Sequence, residues 1–100
     1  MARELEYLED ALQEAEAAAR WYAERSPSAA LAFSNEIDTA EDAIVRSPEA
    51  WPSYDHGTRR FLLRRFPYAI VYRIETTRVL IVAVAHGRRR PGYWKSRLPG

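Results

Sequence analysis

The spacing of apolar residues changes near residue 50, from the period of a helix to the period of a strand. Before that point, apolar residues recur every three or four positions, in the runs Leu8, Leu12, Ala15, Ala19, Tyr22 and Ala30, Phe33, Ile37, Ala40, Ile44. After it, residues 70–74 alternate and residues 79–84 are rich in β-branched side chains. This order of periods predicts an α+β domain whose helices precede its strands.

Two Ser-Pro pairs set the bounds of the helices. Ser26 can accept amide hydrogens as an N-cap, and Pro27 is tolerated in a first helical turn because its missing N–H would have no partner there. The sequence therefore predicts one helix from about Glu9 to Arg25 and a second that ends at about Arg46, before Ser47-Pro48. Because the joint is so short, the helices are predicted to pack as an antiparallel hairpin.

Three stretches of the second half have the composition of strands: residues 59–66, 69–75 and 79–85. The links between them are short, which predicts antiparallel hairpins. The last stretch is apolar on both faces, as is typical of a strand that is central or covered by helices. We therefore expect a single domain, residues 1–100, in which the helical hairpin packs on a small three- to four-stranded antiparallel sheet.

Two segments lie outside these elements. Residues 51–57 combine Pro, Ser, Asp and Gly, which predicts a turn-rich connection. Residues 3–7 alternate polar and apolar side chains, so they fit either a short edge strand or the first turn of the following helix. The choice matters because such a strand would close one edge of the sheet.

The composition excludes several classes of protein. With 47% hydrophobic and 29% charged residues, the 100-residue chain is typical of an ordinary globular domain. It has no apolar run long enough to span a membrane, and acids beginning with Glu4 stand where a secretory signal needs an apolar core, so we expect a cytoplasmic protein without a membrane partner. The absence of cysteine excludes disulfides and thiol catalysis, and fits a reducing compartment.

Metal and cofactor chemistry has little support in the sequence. The two histidines, His56 and His86, are not accompanied by a tight cluster of acidic residues. The four glycines are scattered and form no phosphate-binding loop. We expect neither a metal site nor a cofactor.

Charge is divided unequally between the halves of the chain. Residues 1–50 hold four arginines against twelve acids, a net charge of −8, whereas residues 51–100 hold ten arginines and one lysine against two acids, a net charge of +9. This asymmetry predicts an anionic partner for the second half, or neutralisation of one half by the other. The preference for arginine suits planar contacts to phosphate or carboxylate groups.

The basic half contains two candidate binding regions. In the first, Arg59, Arg60, Arg64 and Arg65 surround Phe61-Leu62-Leu63; in the second, three arginines precede two aromatic residues within residues 86–94. Such side chains can hold phosphates, stack on bases and, with a His or Tyr, transfer protons during metal-free phosphodiester cleavage. The alternative is structural: a solvated sheet face in the first region, and aromatic residues that cover the sheet in the second.

The chain resembles toxins of the RelE/ParE superfamily from bacterial type II toxin–antitoxin systems. The segments that carry this resemblance span nearly the whole chain: Ala19-Arg20-Trp21-Tyr22, Phe33 with Glu36, Pro48-Glu49-Ala50-Trp51-Pro52, residues 59–73 with Arg-Arg-Phe-Pro-Tyr, and residues 82–94 with His-Gly-Arg-Arg-Arg-Pro-Gly-Tyr-Trp. The resemblance implies a strand, a helical hairpin and an antiparallel sheet, and it implies a toxin that arrests growth until an antitoxin neutralises it.

The superfamily divides by target. RelE-like members are metal-independent ribonucleases that cut mRNA on the ribosome, whereas ParE-like members are associated with inhibition of DNA gyrase. If the chain is a ribonuclease, the resemblance implies Arg60 and Arg88 as phosphate clamps and Tyr93 or His86 in proton transfer. The sequence departs from the ribonuclease pattern at Ala69, where those enzymes have an arginine, and at Trp94, which aligns with their catalytic tyrosine.

The resemblance also implies two kinds of binding residue. Those expected to contact the target or nucleic acid are Arg60, Arg64, Arg89, Arg90 and Trp94. Those expected to contact the antitoxin, through an acidic antitoxin segment, are Leu12, Ala19, Phe33, Ile37, Arg59 and Arg65. The alternative hypothesis is a non-toxic relative that serves as a protein-interaction module.

Overall fold

The computed structural model describes residues 3–99, which fold as two helices on one sheet. The elements in chain order are β1 (Glu4–Tyr7), α1 (Glu9–Arg25), α2 (Pro27–Arg46), β2 (Ser53–Tyr54), β3 (Thr58–Leu62), β4 (Tyr68–Ile74) and β5 (Arg78–His86). Short 3-10 turns lie at Pro48–Ala50, Asp55–Gly57 and Lys95–Arg97. The α+β class and the helical hairpin are as predicted. No helix within residues 3–99 is both long and apolar enough to cross a lipid bilayer.

One serine joins the two helices. The Ser26 backbone N–H donates to the carbonyl of Tyr22, 2.8 Å away, and closes the last turn of α1. The Ser26 side chain accepts from the backbone N–H of Ala29, 3.2 Å away, and caps the first turn of α2. Because Ser26 closes α1 and also caps α2, the second helix turns back along the first without an intervening loop. The predicted bounds of both helices are confirmed.

The sheet is five-stranded and mixed, in the order β1-β5-β4-β3-β2. The sequence predicted three or four antiparallel strands, so the count was too low and one pairing had the wrong direction. β1 runs parallel to β5, with Leu5 opposite Val79, and this confirms the edge-strand interpretation of residues 3–7. The segment predicted as a turn-rich connection contains β2, whose two residues pair antiparallel with β3.

β3 is shorter than the predicted strand 59–66, because the backbone that follows it binds to a side chain of α2. The Glu36 carboxylate accepts hydrogen bonds from the backbone N–H groups of Arg64 and Arg65, the latter at 3.0 Å. These amides therefore leave the sheet, and the chain bends towards α2 before β4 begins at Tyr68.

The core has two layers, one on each face of the sheet. The layer on the helix side contains the buried side chains of Phe33, Ile37, Ile44, Ile70, Tyr72, Val79 and Ile81. The layer on the opposite side contains Val71, Leu80, Val82, Ala83 and Trp94. β5 contributes to both layers and lies between β1 and β4, which accounts for its lack of polar alternation.

The buried face of α1 is rotated by about one residue from the predicted stripe. Ala11 and Ala18 are fully or almost fully buried, whereas Leu12 is 44% exposed. Small alanines let the helix backbone approach β5 closely, and Leu12 is left at the rim of that contact. Ala15, Ala19 and Tyr22 pack at the edge of the core, as the stripe predicted.

Candidate functional site

The segment after β5, residues 87–99, is called the tail, and it crosses the face of the sheet opposite the helices. Successive turns shape it: the backbone N–H groups of Arg89, Tyr93 and Lys95 each donate to the carbonyl three residues earlier, at 2.9 to 3.2 Å. Gly92 has a φ of +76°, a backbone conformation that residues other than glycine rarely adopt, and it lies against the His56 ring. The glycine thus allows the bend that returns the tail to the sheet.

Trp94 anchors the tail in the core. Its side chain is only 1% exposed and packs in the layer that includes Val71 and Val82. The Tyr54 and His56 rings lie beside the indole, with centroids at 5.9 and 5.8 Å. In this arrangement the indole covers the sheet, so its faces are not open for stacking on a base.

A carboxylate on α1 holds the neighbouring tail residues. Glu14 accepts hydrogen bonds from the Tyr93 hydroxyl at 2.6 Å, from the Arg97 guanidinium at 2.8 and 3.0 Å, and from the Val84 backbone N–H at 3.0 Å. The side chains of Glu14 and Arg97 are each 17% exposed. These four residues, here called the Glu14 clasp, join α1, β5 and the tail.

The Glu14 clasp shifts the pKa values of its members. Burial alone would raise the pKa of Glu14, but the hydrogen bonds from Arg97, Tyr93 and Val84 outweigh it and lower that pKa. Burial and the hydrogen bond to Glu14 raise the pKa of the Tyr93 phenol well above its ordinary value. The phenolate form of Tyr93 is therefore disfavoured, which opposes a role as a general base.

Arg88, Arg89 and Arg90, here called the arginine triplet, are exposed at the start of the tail. None of the three takes part in an ion pair within residues 3–99. The Arg89 guanidinium lies over the Tyr93 ring, 3.8 Å from its centroid. The triplet is therefore a concentrated positive surface whose guanidinium groups are open to an anionic partner.

An outer groove of about 320 Å³ lies between the tail and the ends of β3 and β4. Its positive lining comes from Arg60, Arg89 and Arg90, its apolar lining includes Leu62, Phe66, Tyr68, Val71 and Ala85, and His86 also lines it. Leu62 is 60% exposed there. The groove thus combines an apolar floor with a positive rim, an arrangement suited to an acidic partner that carries apolar groups.

Several side chains of the outer groove already have intramolecular partners. The Arg60 guanidinium lies over the Tyr54 ring, 4.3 Å from its centroid. His86 Nδ1 accepts from the Arg88 backbone N–H at 3.0 Å, and its ring lies edge-on to Tyr68. Residues 3–99 contain no group of three His, Asp or Glu side chains placed to bind a metal.

The structure brings together most, but not all, of the residues expected to contact a target. Of these, Arg60, Arg89 and Arg90 line the outer groove, as do His86 and Tyr93, the candidates for proton transfer, whereas Arg88, the other expected phosphate clamp, is exposed and is not part of its lining. Trp94 borders the groove but is buried. Arg64 lies elsewhere, beside Glu36 and Thr39 of α2.

The six residues expected to contact an antitoxin do not form one surface. Phe33 and Ile37 are core residues, 1% and 9% exposed. Arg59 donates to the carbonyls of Glu49 and Trp51, and Arg65 pairs with Glu36 at 3.4 Å. Leu12, Ala19 and the two arginines are therefore spread over different elements, and only Leu12 is an exposed apolar group.

Two features were absent from the sequence prediction. Trp21 is 49% exposed and lines a second groove, of about 480 Å³, with Ala17, Tyr22, Pro67 and Tyr68. Glu14 lies three residues after Ala11 and four before Ala18, so an acid stands on the buried stripe of α1. A carboxylate on a buried helix face needs a hydrogen-bond or ionic partner, so the position of Glu14 was the one sequence signal that pointed to the clasp.

We expect the folded domain to lose stability as the pH falls below about 4.5, the ordinary glutamate value. The pKa values of Glu14, Glu36 and Glu75 are all lowered in the folded state, so their contribution is complete above that value and is lost as the pH falls through the folded-state pKa. Urea unfolding between pH 7 and pH 3 measures this loss. Glu14→Gln should flatten the acid dependence, whereas the exposed Glu16→Gln should not; parallel curves for all three proteins would contradict the prediction.

Comparison with known proteins agrees with this architecture. Residues 5–91 match the model of a family described as the ParE toxin of type II toxin–antitoxin system, parDE. A solved structure titled "Chromosomal ParDE TA system from P. aeruginosa" has a TM-score of 0.71 and 21% identity, over 85% of this chain and 96% of that one. At this identity the likeness establishes the fold. Comparison with curated proteins gives no match.

Proposed function

Because the chain belongs to the ParE toxin family of type II toxin–antitoxin systems, we propose that it arrests growth by binding DNA gyrase through its tail, without cleaving RNA. As a member of this family it is the toxin component, and its partner is an antitoxin. The observation that carries the choice of target is the Glu14 clasp, which engages the hydroxyl of Tyr93.

The chemistry of metal-independent cleavage argues for binding over catalysis. Such cleavage needs groups that transfer protons next to a phosphate held by cations. The Tyr93 hydroxyl donates a hydrogen bond to Glu14 and its pKa is raised, and Trp94 is in the core. A toxin that acts only by binding its target does not require Tyr93 or Trp94 to be free for catalysis.

The arginine triplet is the proposed contact with gyrase. It is exposed, it has no ion-pair partner within residues 3–99, and it adjoins the cationic rim of the outer groove. Arginine side chains bind carboxylates and phosphates in a planar, two-pronged geometry. We therefore propose that the triplet binds an acidic surface of gyrase or the DNA held by it.

The outer groove is the proposed place for the antitoxin. An acidic antitoxin segment with apolar side chains would match its positive rim and its apolar floor, which includes exposed Leu62. A segment seated there would lie beside Arg89 and Arg90 and would block the triplet. Neutralisation would then follow from occupancy of one continuous surface.

Ribosome-dependent mRNA cleavage is the second candidate. It is favoured by one observation: Arg60, His86 and Arg89 line the same groove, within which a phosphate could be bound. On this alternative, His86 would supply the proton transfer that Tyr93 does not.

Labelling in the first minutes after induction separates these functions. We expect thymidine incorporation to fall before methionine incorporation when the chain is expressed without an antitoxin, and we expect the purified protein to inhibit supercoiling by gyrase. An earlier fall in methionine incorporation would establish the ribosome as the target. If neither changes while soluble protein accumulates, the chain is a non-toxic interaction module.

A further inference from the structure

The tail has little regular structure to fix its shape. Beyond β5 it forms only turns and a single 3-10 turn at Lys95–Arg97. A segment of this kind samples several conformations unless side chains tie it to the domain. The side-chain contacts that hold it include the buried Trp94, the Glu14 clasp, and Arg73, whose guanidinium donates to the Pro99 carbonyl at 3.1 Å.

The clasp connects parts of the chain that are far apart in sequence. Glu14 lies 79 residues from Tyr93 and 83 from Arg97, and it also accepts the Val84 backbone N–H of β5. Asp10, one turn earlier on α1, lies 3.7 Å from the Arg97 guanidinium. The Glu14 carboxylate thus fixes the tail relative to both α1 and β5.

The clasp reaches the arginine triplet through Tyr93. The Tyr93 ring carries the Arg89 guanidinium on its face, and the Tyr93 backbone N–H donates to the Arg90 carbonyl at 3.2 Å. Tyr93 therefore contacts the guanidinium of Arg89 and the backbone of Arg90, two of the three arginines. Glu14 is remote from the triplet in sequence and holds the Tyr93 ring in two ways, through the Tyr93 hydroxyl and through Arg97, whose guanidinium lies 5.2 Å from the ring centroid.

We infer that Glu14 is a positioning residue, which holds Tyr93 so that the arginine triplet is presented to the target in one conformation. This inference rests on the proposed function, because it assigns the triplet to target binding. A preorganised contact surface binds more tightly since less conformational entropy is lost on association.

The test compares Glu14→Gln with Glu16→Gln, an acid on the same helix that is exposed and outside the clasp. Glutamine keeps the size of Glu14 but loses the charge that pairs with Arg97. We expect Glu14→Gln to inhibit gyrase supercoiling about tenfold less well, the scale of one charge-assisted hydrogen bond, and Glu16→Gln to match the wild type. Tyr93→Phe keeps the ring under Arg89 but removes the hydroxyl, so we expect a smaller loss of about threefold.

Hydrogen exchange separates positioning from general stability. In Glu14→Gln, amides of the tail should accelerate more than those of α2 and β4, whose rates should rise no more than the loss of global stability measured by urea unfolding requires. Equal acceleration in the tail and in α2 and β4, or full inhibition by Glu14→Gln, would overturn the inference. Failure of the wild-type protein to inhibit gyrase would instead overturn the proposed function, so the two failures are distinguishable.

Discussion

Simultaneous replacement of Arg88, Arg89 and Arg90 by alanine is expected to abolish growth arrest and leave the fold intact. Each charge-assisted contact contributes about 1.5–3 kcal/mol, so loss of three weakens target binding by more than about a thousandfold. The side chains are exposed, and their removal should change the free energy of unfolding by less than about 1 kcal/mol. Colony counts after induction, with urea unfolding of the purified variant, measure both quantities.

The matched control removes the same charge from the other half of the chain. Arg20, Arg25 and Arg46 are exposed residues of the helical hairpin, and their replacement by alanine lowers the net charge equally. This control should still arrest growth, because its tail is unchanged. Equal loss of toxicity in both triple variants would mean that overall charge, not the arginine triplet, determines activity.

Trp94→Ala is expected to produce the largest loss of stability of any single substitution in the tail. Removal of a buried tryptophan costs about 3–5 kcal/mol, because the packing is lost and a cavity is left. Trp94 is 1% exposed, and it is the tail's contribution to the layer that contains Val71, Leu80 and Val82. The urea midpoint of unfolding should fall accordingly, with faster exchange at the amides of the tail.

Trp94→Phe provides the contrast for this prediction. Phenylalanine keeps an apolar ring in the layer, so most of the stability and most of the growth arrest should remain. If Trp94→Ala unfolds at the wild-type urea concentration, the indole is not a packing residue, and the structural account of the tail is wrong.

Local signals were sufficient to predict the helices. Ser26 and Pro27 specify a cap and a first turn from their own chemistry, and the structure places both helix bounds where those residues predicted them. The strand regions of β4 and β5 were likewise visible in their β-branched and aromatic content.

Contacts between distant residues were not predictable from one sequence. The pairing of Leu5 with Val79 depends on residues more than seventy positions apart, and nothing local indicates a parallel partner. The end of β3 likewise depends on a distant residue, because Glu36 of α2 binds the backbone N–H of Arg65. The clasp depends on Glu14 meeting Tyr93 and Arg97, so the sequence identified the tyrosine as a candidate site residue but not the carboxylate that holds it.

The parallel pairing of β1 with β5 has a consequence for synthesis on the ribosome. β1 is made first, but its neighbour in the sheet is the last strand to be made, and β4 and Trp94 also pack against that strand. A nascent chain that stops before Arg78 has both helices but lacks β5, the strand that joins β1 to β4 and supplies Val79 and Ile81 to the helix-side core. Since pairing at such separation is slow, we expect the toxin to become harmful only after β5 has been translated.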